Sequence, residues 1–526
     1  MMQPYNRNSN FLRSLGVTFA ALALVWNLSG WGGAGEAAPP QTRGKLDARS
    51  VEQWADESFG RILSERRISS LAIAVTQGDT VIFKKGYGYA DWTTRTPVNP
   101  DTSQFRIASL SKTFIGTAIA QLLEHRKIAS LDDPVNQYLK RVQLKSFAGK
   151  HVTIWDMMTH QGGLGPSPVF VDGETEPLPV PPLPAEYITS RMPEVVREPG
   201  TLSIYCNPCT ATLGFMIEDI TGQTLQQYLK ENVFGPLGMS HTAVVTEHNP
   251  QSKDIVIQYA FAAAGTPTAL PYPNITPFLA YAGAINSTAG DMAKYLMAHI
   301  QEGSGSGPKL MSPATYKRMH ARHRGNEPNS SGFGMQFFTY DYNGEHVLEH
   351  YGSLNFRSME FLMLDRKIGV FVTFAGGGLA GPNAPPAAGN ATSVEGEVKP
   401  AMSHSGVRAL VLEHFLGKLP IRKDMKVDVG RYTGVYRSIP ARASGGPAGG
   451  RGVEVKDSGD GGLVIGDLGV YRPSGPDTFT LEGTLPLQSG FGVSNRYVFV
   501  PDNTGTMRMF AHINAGGFER AAPPPN

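Results

Sequence analysis

Ser109 and Lys112 stand three residues apart at the head of a strongly apolar helical pattern. No other feature limits so sharply what this chain can fold into. Residues three and four apart share one helix face. Phe114, Ile115, Ala118, Ile119, Leu122 and Leu123 follow at helical spacing. The pattern predicts a buried helix from near Ser109 to about Arg126, with the serine at its mouth and the lysine one turn in. Such a fold must take an amine out of water beside a hydroxyl. Burial disfavours the ammonium, and a neutral lysine can accept the serine's proton.

The chain has 526 residues, more than one domain normally holds, so two or three domains are expected. Its net charge of +2 and the lack of a long Lys/Arg run argue against a nucleic-acid surface. The first 37 residues carry a leader pattern: Arg7 and Arg13, an apolar stretch from Leu15 to Leu28, then small residues at Gly35 and Ala37. A cleavable signal peptide over 1–37 and a periplasmic or secreted mature protein are expected. The stretch is shorter than the roughly 20 residues of a spanning helix, and no transmembrane segment is expected in the mature chain. The two cysteines, Cys206 and Cys209, suit a local disulfide or two buried thiols. They are too few for a structural zinc site.

Ser50 to Arg66 reads as an amphipathic helix. Leu71 to Val75 and Val81 to Tyr87 read as strands joined by a turn at Gln77-Gly78-Asp79. Helical patterns follow at 152–158, 212–220, 225–231 and 291–300. Three closing strands are expected at 349–356, 359–365 and 370–374, and a last helix at 406–416. Gly165 to Pro184 reads as a surface loop, and the Gly/Pro/Ala-rich segment 376–400 as a flexible insertion. The fold class is α+β: an antiparallel sheet flanked by helices with a helical subdomain, over 48–418. Short alternating runs between Tyr432 and Met509 predict a separate small all-β barrel-like domain over 425–522.

Two further groups can complete a site. Tyr205 precedes Asn207 by two. A tyrosine near ammonium groups can have its pKa lowered and move protons, and an asparagine can bind the lysine and a substrate amide. His350, Gly352 and Ser353 fall on a predicted strand. A glycine there leaves room for a substrate, and the Ser353 and Ser109 N–H groups can form an oxyanion hole.

The order S-x-x-K, Y-x-N, H-x-G resembles the serine β-lactamase/penicillin-binding superfamily, and most closely its class C β-lactamase-like branch. Several framework stretches also resemble that branch: Phe105 to Ser109, Leu131 to Val135, Thr159 to Leu164, Phe234 to Met239 and Ser287 to Asp291. The stretch Gly430 to Tyr436 resembles a lipocalin-like appendage of such proteins. The resemblance implies that Ser109 is the acylated nucleophile, Lys112 its activator and Tyr205 the proton shuttle. Asn207 would contact the substrate amide. His350 stands where lysine stands in true class C β-lactamases, which favours an esterase or D-amino-acid peptidase over a β-lactamase or DD-carboxypeptidase. The implied substrate is a small molecule or peptide with an ester, amide or β-lactam bond. A non-catalytic binding protein of the same fold is a third reading. Whether Lys112 or Tyr205 is the main base stays open, as do the physiological substrate and the oligomeric state.

There is no G-x-S-x-G elbow. His346 and His350 lie on a predicted strand, which separates them by roughly 13 Å. His320 and His323 read as a solvated helix end, and His160 as a structural residue of its turn. No metal or cofactor is expected.

Overall fold

The computed structural model describes residues 44–520 apart from 62, 64–67, 166–178, 247–251, 262–266, 329, 377–401, 439–451, 484, 486–493, 503 and 512–516. The leader at 1–37, most of the loop at 165–184 and the insertion at 376–400 lie outside the described residues. No described helix is long and apolar enough to cross a membrane.

The centre is a nine-stranded antiparallel sheet. Its strands in chain order are β1 (Ile68–Gln77), β2 (Thr80–Asp91), β3 (Thr96–Pro97), β4 (Arg324–Gly325), β5 (Gly332–Phe333), β6 (Phe338–Tyr342), β7 (Glu345–Ser353), β8 (Phe356–Met363) and β9 (Ile368–Gly376). Across the sheet they run β3-β2-β1-β9-β8-β7-β6-β5-β4. The two ends of the sequence region therefore meet in the middle, where β1 pairs with β9. β1 is buried along almost its whole length because both faces are covered. Ala72 and Ala74 face the larger apolar cluster; Leu71, Ile73 and Val75 face a second one. Complete burial explains why β1 reads as a continuous apolar run rather than an alternating one.

The larger cluster contains α2 (Ser111–Glu124), α3 (Ile154–Met158), α4 (Asn207–Thr221) and α5 (Ala289–Ile300). α2 is buried from Ser111 through Leu122. A helix apolar on every side belongs in a core, and this one lies between the sheet and the helical subdomain. The other face carries α1 (Ala48–Ala55) and, much later in the chain, α7 (His404–Leu416). Between them in sequence, α6 (Pro313–His320) packs near α5. Its last residue corrects the expectation of a solvated helix end. His320 is buried, with Nδ1 2.9 Å from Glu302 Oε1 and Nε2 3.0 Å from His299 Nδ1.

Val407, Val411, Leu412 and Phe415 of α7 face the sheet, while Ala409 joins the core of the C-terminal barrel. That barrel is closed: eight antiparallel strands from Gly434–Ser438 to Gly517–Arg520, the first and last paired. Its interior is filled by Tyr436, Tyr471, Phe479, Tyr497, Phe499 and Met509. Tyr432 closes one end from a short helical turn rather than a strand.

α7 is tied to β7 by a buried ion pair. Arg408 Nη2 and Nε donate to Glu349 at 2.6 and 2.9 Å, and the Tyr340 hydroxyl donates to the same carboxylate at 2.7 Å. Removing one partner of such a pair costs roughly 3–5 kcal/mol, because the other charge is left without its partner.

A second buried acid has no such cation among the described residues. Glu360 of β8, across the ladder from His350, is wholly buried; burial pushes its carboxyl up to about 8, only partly eased by Thr113. The unfolded chain ionises this group near 4.5, so its contribution is present at low pH and lost as pH rises from there towards 8. The slope is about 1.4 kcal/mol per pH unit. Glu360→Gln should therefore raise the Tm relative to wild type at pH 9 and leave it nearly unchanged at pH 4. Melting curves showing the same difference at both values would contradict this.

Candidate active site

Ser109 sits in a short 3-10 turn, Ala108–Leu110, that leads directly into α2. The turn is strained: Ala108 has a positive φ of 51°, a conformation that costs a non-glycine residue on the order of 1–3 kcal/mol. Local bonds hold it. The Ser111 hydroxyl donates to Ala108 O at 2.7 Å and accepts from the Ile285 N–H at 3.1 Å. Ser109 is thereby left partly exposed while its neighbours are buried.

Lys112 is fully buried. Its Nζ lies 2.9 Å from Ser109 Oγ and donates to the Ala282 carbonyl at 2.8 Å. No carboxylate among the described residues compensates its charge, and burial pushes its pKa well below the ordinary lysine value. Burial thus favours the neutral amine, whose lone pair suits it to accept the serine's proton.

Tyr205 stands just before α4, with the Lys112 ammonium nitrogen 5.0 Å from its ring centre. Two stretches of backbone fix it. His160 Nδ1 accepts from the Cys206 N–H at 3.2 Å, and the His160 carbonyl accepts from the Ile204 N–H at 2.9 Å. The His160 ring lies 4.7 Å from that of Tyr205. Its structural role is thus to bracket the tyrosine. Cys206 and Cys209 form a disulfide across the first turn of α4. The sequence allowed a lowered tyrosine pKa; the structure corrects this. Burial, then the neighbouring Tyr351, raise it well above 10, and Ser109 eases it only slightly. Among the described residues the amine near it is that of Lys112, whose charge burial disfavours. Tyr205 is therefore a neutral phenol whose oxygen is withdrawn from solvent and has no well-aligned hydrogen bond among the described residues.

Asn207 opens α4, and its Oδ1 has no partner among the described residues, so the expected bond to Lys112 is not made by this oxygen.

His350 is fully buried on β7, its ring 6.1 Å from that of Tyr205. Its Nδ1 donates to Tyr351 O at 2.9 Å, since a carbonyl only accepts. Nε2 is therefore a bare acceptor, with no partner among the described residues. Burial first, then Lys112 and His160, push its pKa well below 6.5. The position holds a neutral acceptor where a cation would hold a carboxylate.

β6 pairs with β7 only as far as Glu349, opposite Phe338. Beyond it, no strand among the described residues pairs with His350 to Ser353 on that side. Gly352 lets this edge approach the nucleophile. A Cβ there would lie 2.1 Å from Ile107 O and 3.0 Å from Ser109 N. The glycine lets the end of β7, where Ser353 is exposed, come close to the Ser109 N–H.

The structure thus gathers Ser109, Lys112, Tyr205, His350 and Gly352 about one cleft. Ala282 and the strain at Ala108 carry no sequence signal of their own. A partly exposed serine at the head of a central helix, with a buried lysine in that helix's first turn and the edge of an antiparallel sheet beside it, defines the serine β-lactamase/penicillin-binding class of serine hydrolases. The Beta-lactamase family model matches residues 49–391, and the chain belongs to that family. A Bacillus subtilis (strain 168) relative, named "Putative penicillin-binding protein PbpX", is 28% identical over 303 residues, 57% of this chain and 70% of that one. The octameric penicillin-binding protein homologue from Pyrococcus abyssi superposes with a TM-score of 0.55 at 22% identity, covering 90% of this chain and 100% of that chain. EstCE1, a hydrolase with promiscuous acyltransferase activity, gives 0.52 at 20% identity over 63% of this chain and 94% of its own.

Because the cleft depends on the close approach at Gly352, Gly352→Ala should abolish turnover by at least about 10²-fold, the size of losing one oxyanion donor. Steady-state rates beside a melting curve check this. A variant that keeps both its Tm and its rate would show the approach to be dispensable.

Proposed function

We propose that this protein is an extracytoplasmic serine hydrolase that cleaves esters or amides through an acyl-enzyme on Ser109. The observation that carries the reading is the fully buried Lys112 amine 2.9 Å from Ser109 Oγ, where burial disfavours its charge. Ser109 Oγ attacks the carbonyl carbon and its proton passes to Lys112. The oxyanion forms beside the Ser109 and Ser353 N–H groups. Tyr205, as a neutral phenol, gives its proton to the leaving oxygen or nitrogen and regains one from the Lys112 ammonium. Water then attacks the acyl-enzyme by the reverse path, releasing the acid. Lys112 is the base in this scheme, because a phenol whose pKa is raised is a poor one.

The neutral acceptor at His350 supports a substrate that is uncharged, or donates a hydrogen bond, beside the scissile bond. A carboxylesterase or D-amino-acid peptidase of uncharged leaving groups fits better than an enzyme that grips a carboxylate there. The second reading, a β-lactamase or DD-carboxypeptidase, is favoured by the penicillin-binding name of the Bacillus relative. The extracytoplasmic location is supported by the leader pattern and by the Cys206–Cys209 disulfide.

Intact mass after treatment with a fluorophosphonate should show one adduct, absent from Ser109→Ala. An unlabelled wild-type chain would overturn the reading. Rates on nitrophenyl esters, D-Ala-D-Ala peptides and nitrocefin then separate the two readings, with the ester expected fastest.

Lys112→Arg, which keeps a fixed charge, should cost roughly 10²–10⁴-fold in kcat, as for loss of a general base. In wild type, kcat/KM should rise with pH along an acid limb as Lys112 loses its proton, and show no limb near the ordinary lysine value. A lysine-like limb near pH 10 would put the base elsewhere.

A further inference from the structure

α7 begins at His404, whose ring reaches the strand that lines the cleft. His404 Nε2 lies 2.9 Å from Gly352 O. The carbonyl can only accept, so Nε2 carries the proton and donates. The acceptor is special by position. Gly352 C=O and Ser353 N–H are the two ends of one peptide group. That group is planar and trans, so they point in opposite directions. The carbonyl faces His404, and the N–H faces away from it. A hydrogen bond accepted at the oxygen draws electron density through the amide and makes the N–H a stronger donor.

We propose that His404 is a positioning residue of the oxyanion hole, holding and polarising the Gly352–Ser353 peptide from behind. The proposal rests on the reading that Ser109 forms a tetrahedral intermediate. His404 is nearly inaccessible to solvent, and burial first, then Arg357, push its pKa down to about 3, against a weaker opposing effect of the Gly352 bond. The ring is thus a neutral donor through the whole working range, and its bond to Gly352 does not titrate away.

The surroundings leave the ring little freedom. Ser403 caps the helix, accepting from the Gly406 N–H at 3.0 Å. The Tyr351 ring lies 5.3 Å from that of His404. Arg408, one turn later on the same face, holds Glu349 of the same strand. α7 therefore grips β7 at two points three residues apart. Its other face is closed by the barrel through Ala409.

The test is the rate of Ser109 phosphonylation by a fluorophosphonate, whose phosphoryl oxygen occupies the oxyanion hole, measured on the full chain with a melting curve for each variant. His404→Phe should label at least tenfold more slowly and lose the same factor in ester kcat, with KM within twofold. His404→Gln, which retains a donor, should recover most of the rate. If the Phe variant does not fold, His404→Met against His404→Gln makes the same comparison. Labelling of the donor-less variant within twofold of wild type would overturn the proposal, as would equal losses in the Gln and donor-less variants. A wild-type chain that does not label at all overturns the serine-hydrolase reading itself, a result distinct from either.

Discussion

The chemistry of the cleft depends on one amine kept out of water. Lys112 is fully buried with a carbonyl and a hydroxyl for partners and no acid to balance it. A carboxylate in the same place would hold the lysine charged and useless as a base. The fold secures the opposite condition by placing the lysine in the first turn of a helix that is apolar on all sides. The same burial acts on the groups around it: it keeps His350 and His160 neutral and Tyr205 protonated. Burial thus works against every charged form in the inner site. The site is an array of fixed dipoles and one lone pair, an arrangement suited to a reaction that creates charge only in its transition state.

Two separate devices place the groups around that amine. On one side, Tyr205 is held by His160 from both backbone directions and by the disulfide that follows it. On the other, β7 is drawn against the Ser109 turn at Gly352 and anchored from behind by α7. The strain at Ala108 is sustained because both sides press on the same turn. This division explains why the two faces of the sheet have unlike jobs. The face towards α2 carries the chemistry, and the face towards α7 fixes the strand that serves it.

Much of this was legible in the chain. α2, β1, the closing strands and the last helix follow from apolar periodicity, and Ser109, Lys112, Tyr205, His350 and Gly352 from residue types at recognisable spacing. β6 was overlooked, although Asn343-Gly344 between alternating runs is a hairpin signal. β4 and β5, two residues each, carry no periodicity at all. The buried state of His320 was missed because its partners, His299 and Glu302, come from the preceding helix and its end. The ion pair of Glu349 with Arg408 joins residues 59 apart, and no local pattern marks either one. Protonation states were the least legible of all. Tyr205 and Lys112 are ordinary residue types whose behaviour is set by how much water the tertiary structure excludes.

The position of α7 also bears on the C-terminal barrel. Its interior is packed with aromatic and methionine side chains, which leaves it the character of a solid core rather than a container. What it offers the rest of the chain is its outer surface against α7. A helix that packed only on the sheet would show one apolar stripe. α7 instead places Val407, Val411 and Phe415 on the sheet and Ala409 in the barrel, and is apolar on opposite sides because it is covered on both. The side chains that bind β7 arise from the sheet-facing side of this clamped helix. Covering the outer face raises the cost of any local opening of α7, because apolar surface on both sides would have to be exposed together. The barrel is thereby coupled to the strand edge at Ser353 through the packing of α7.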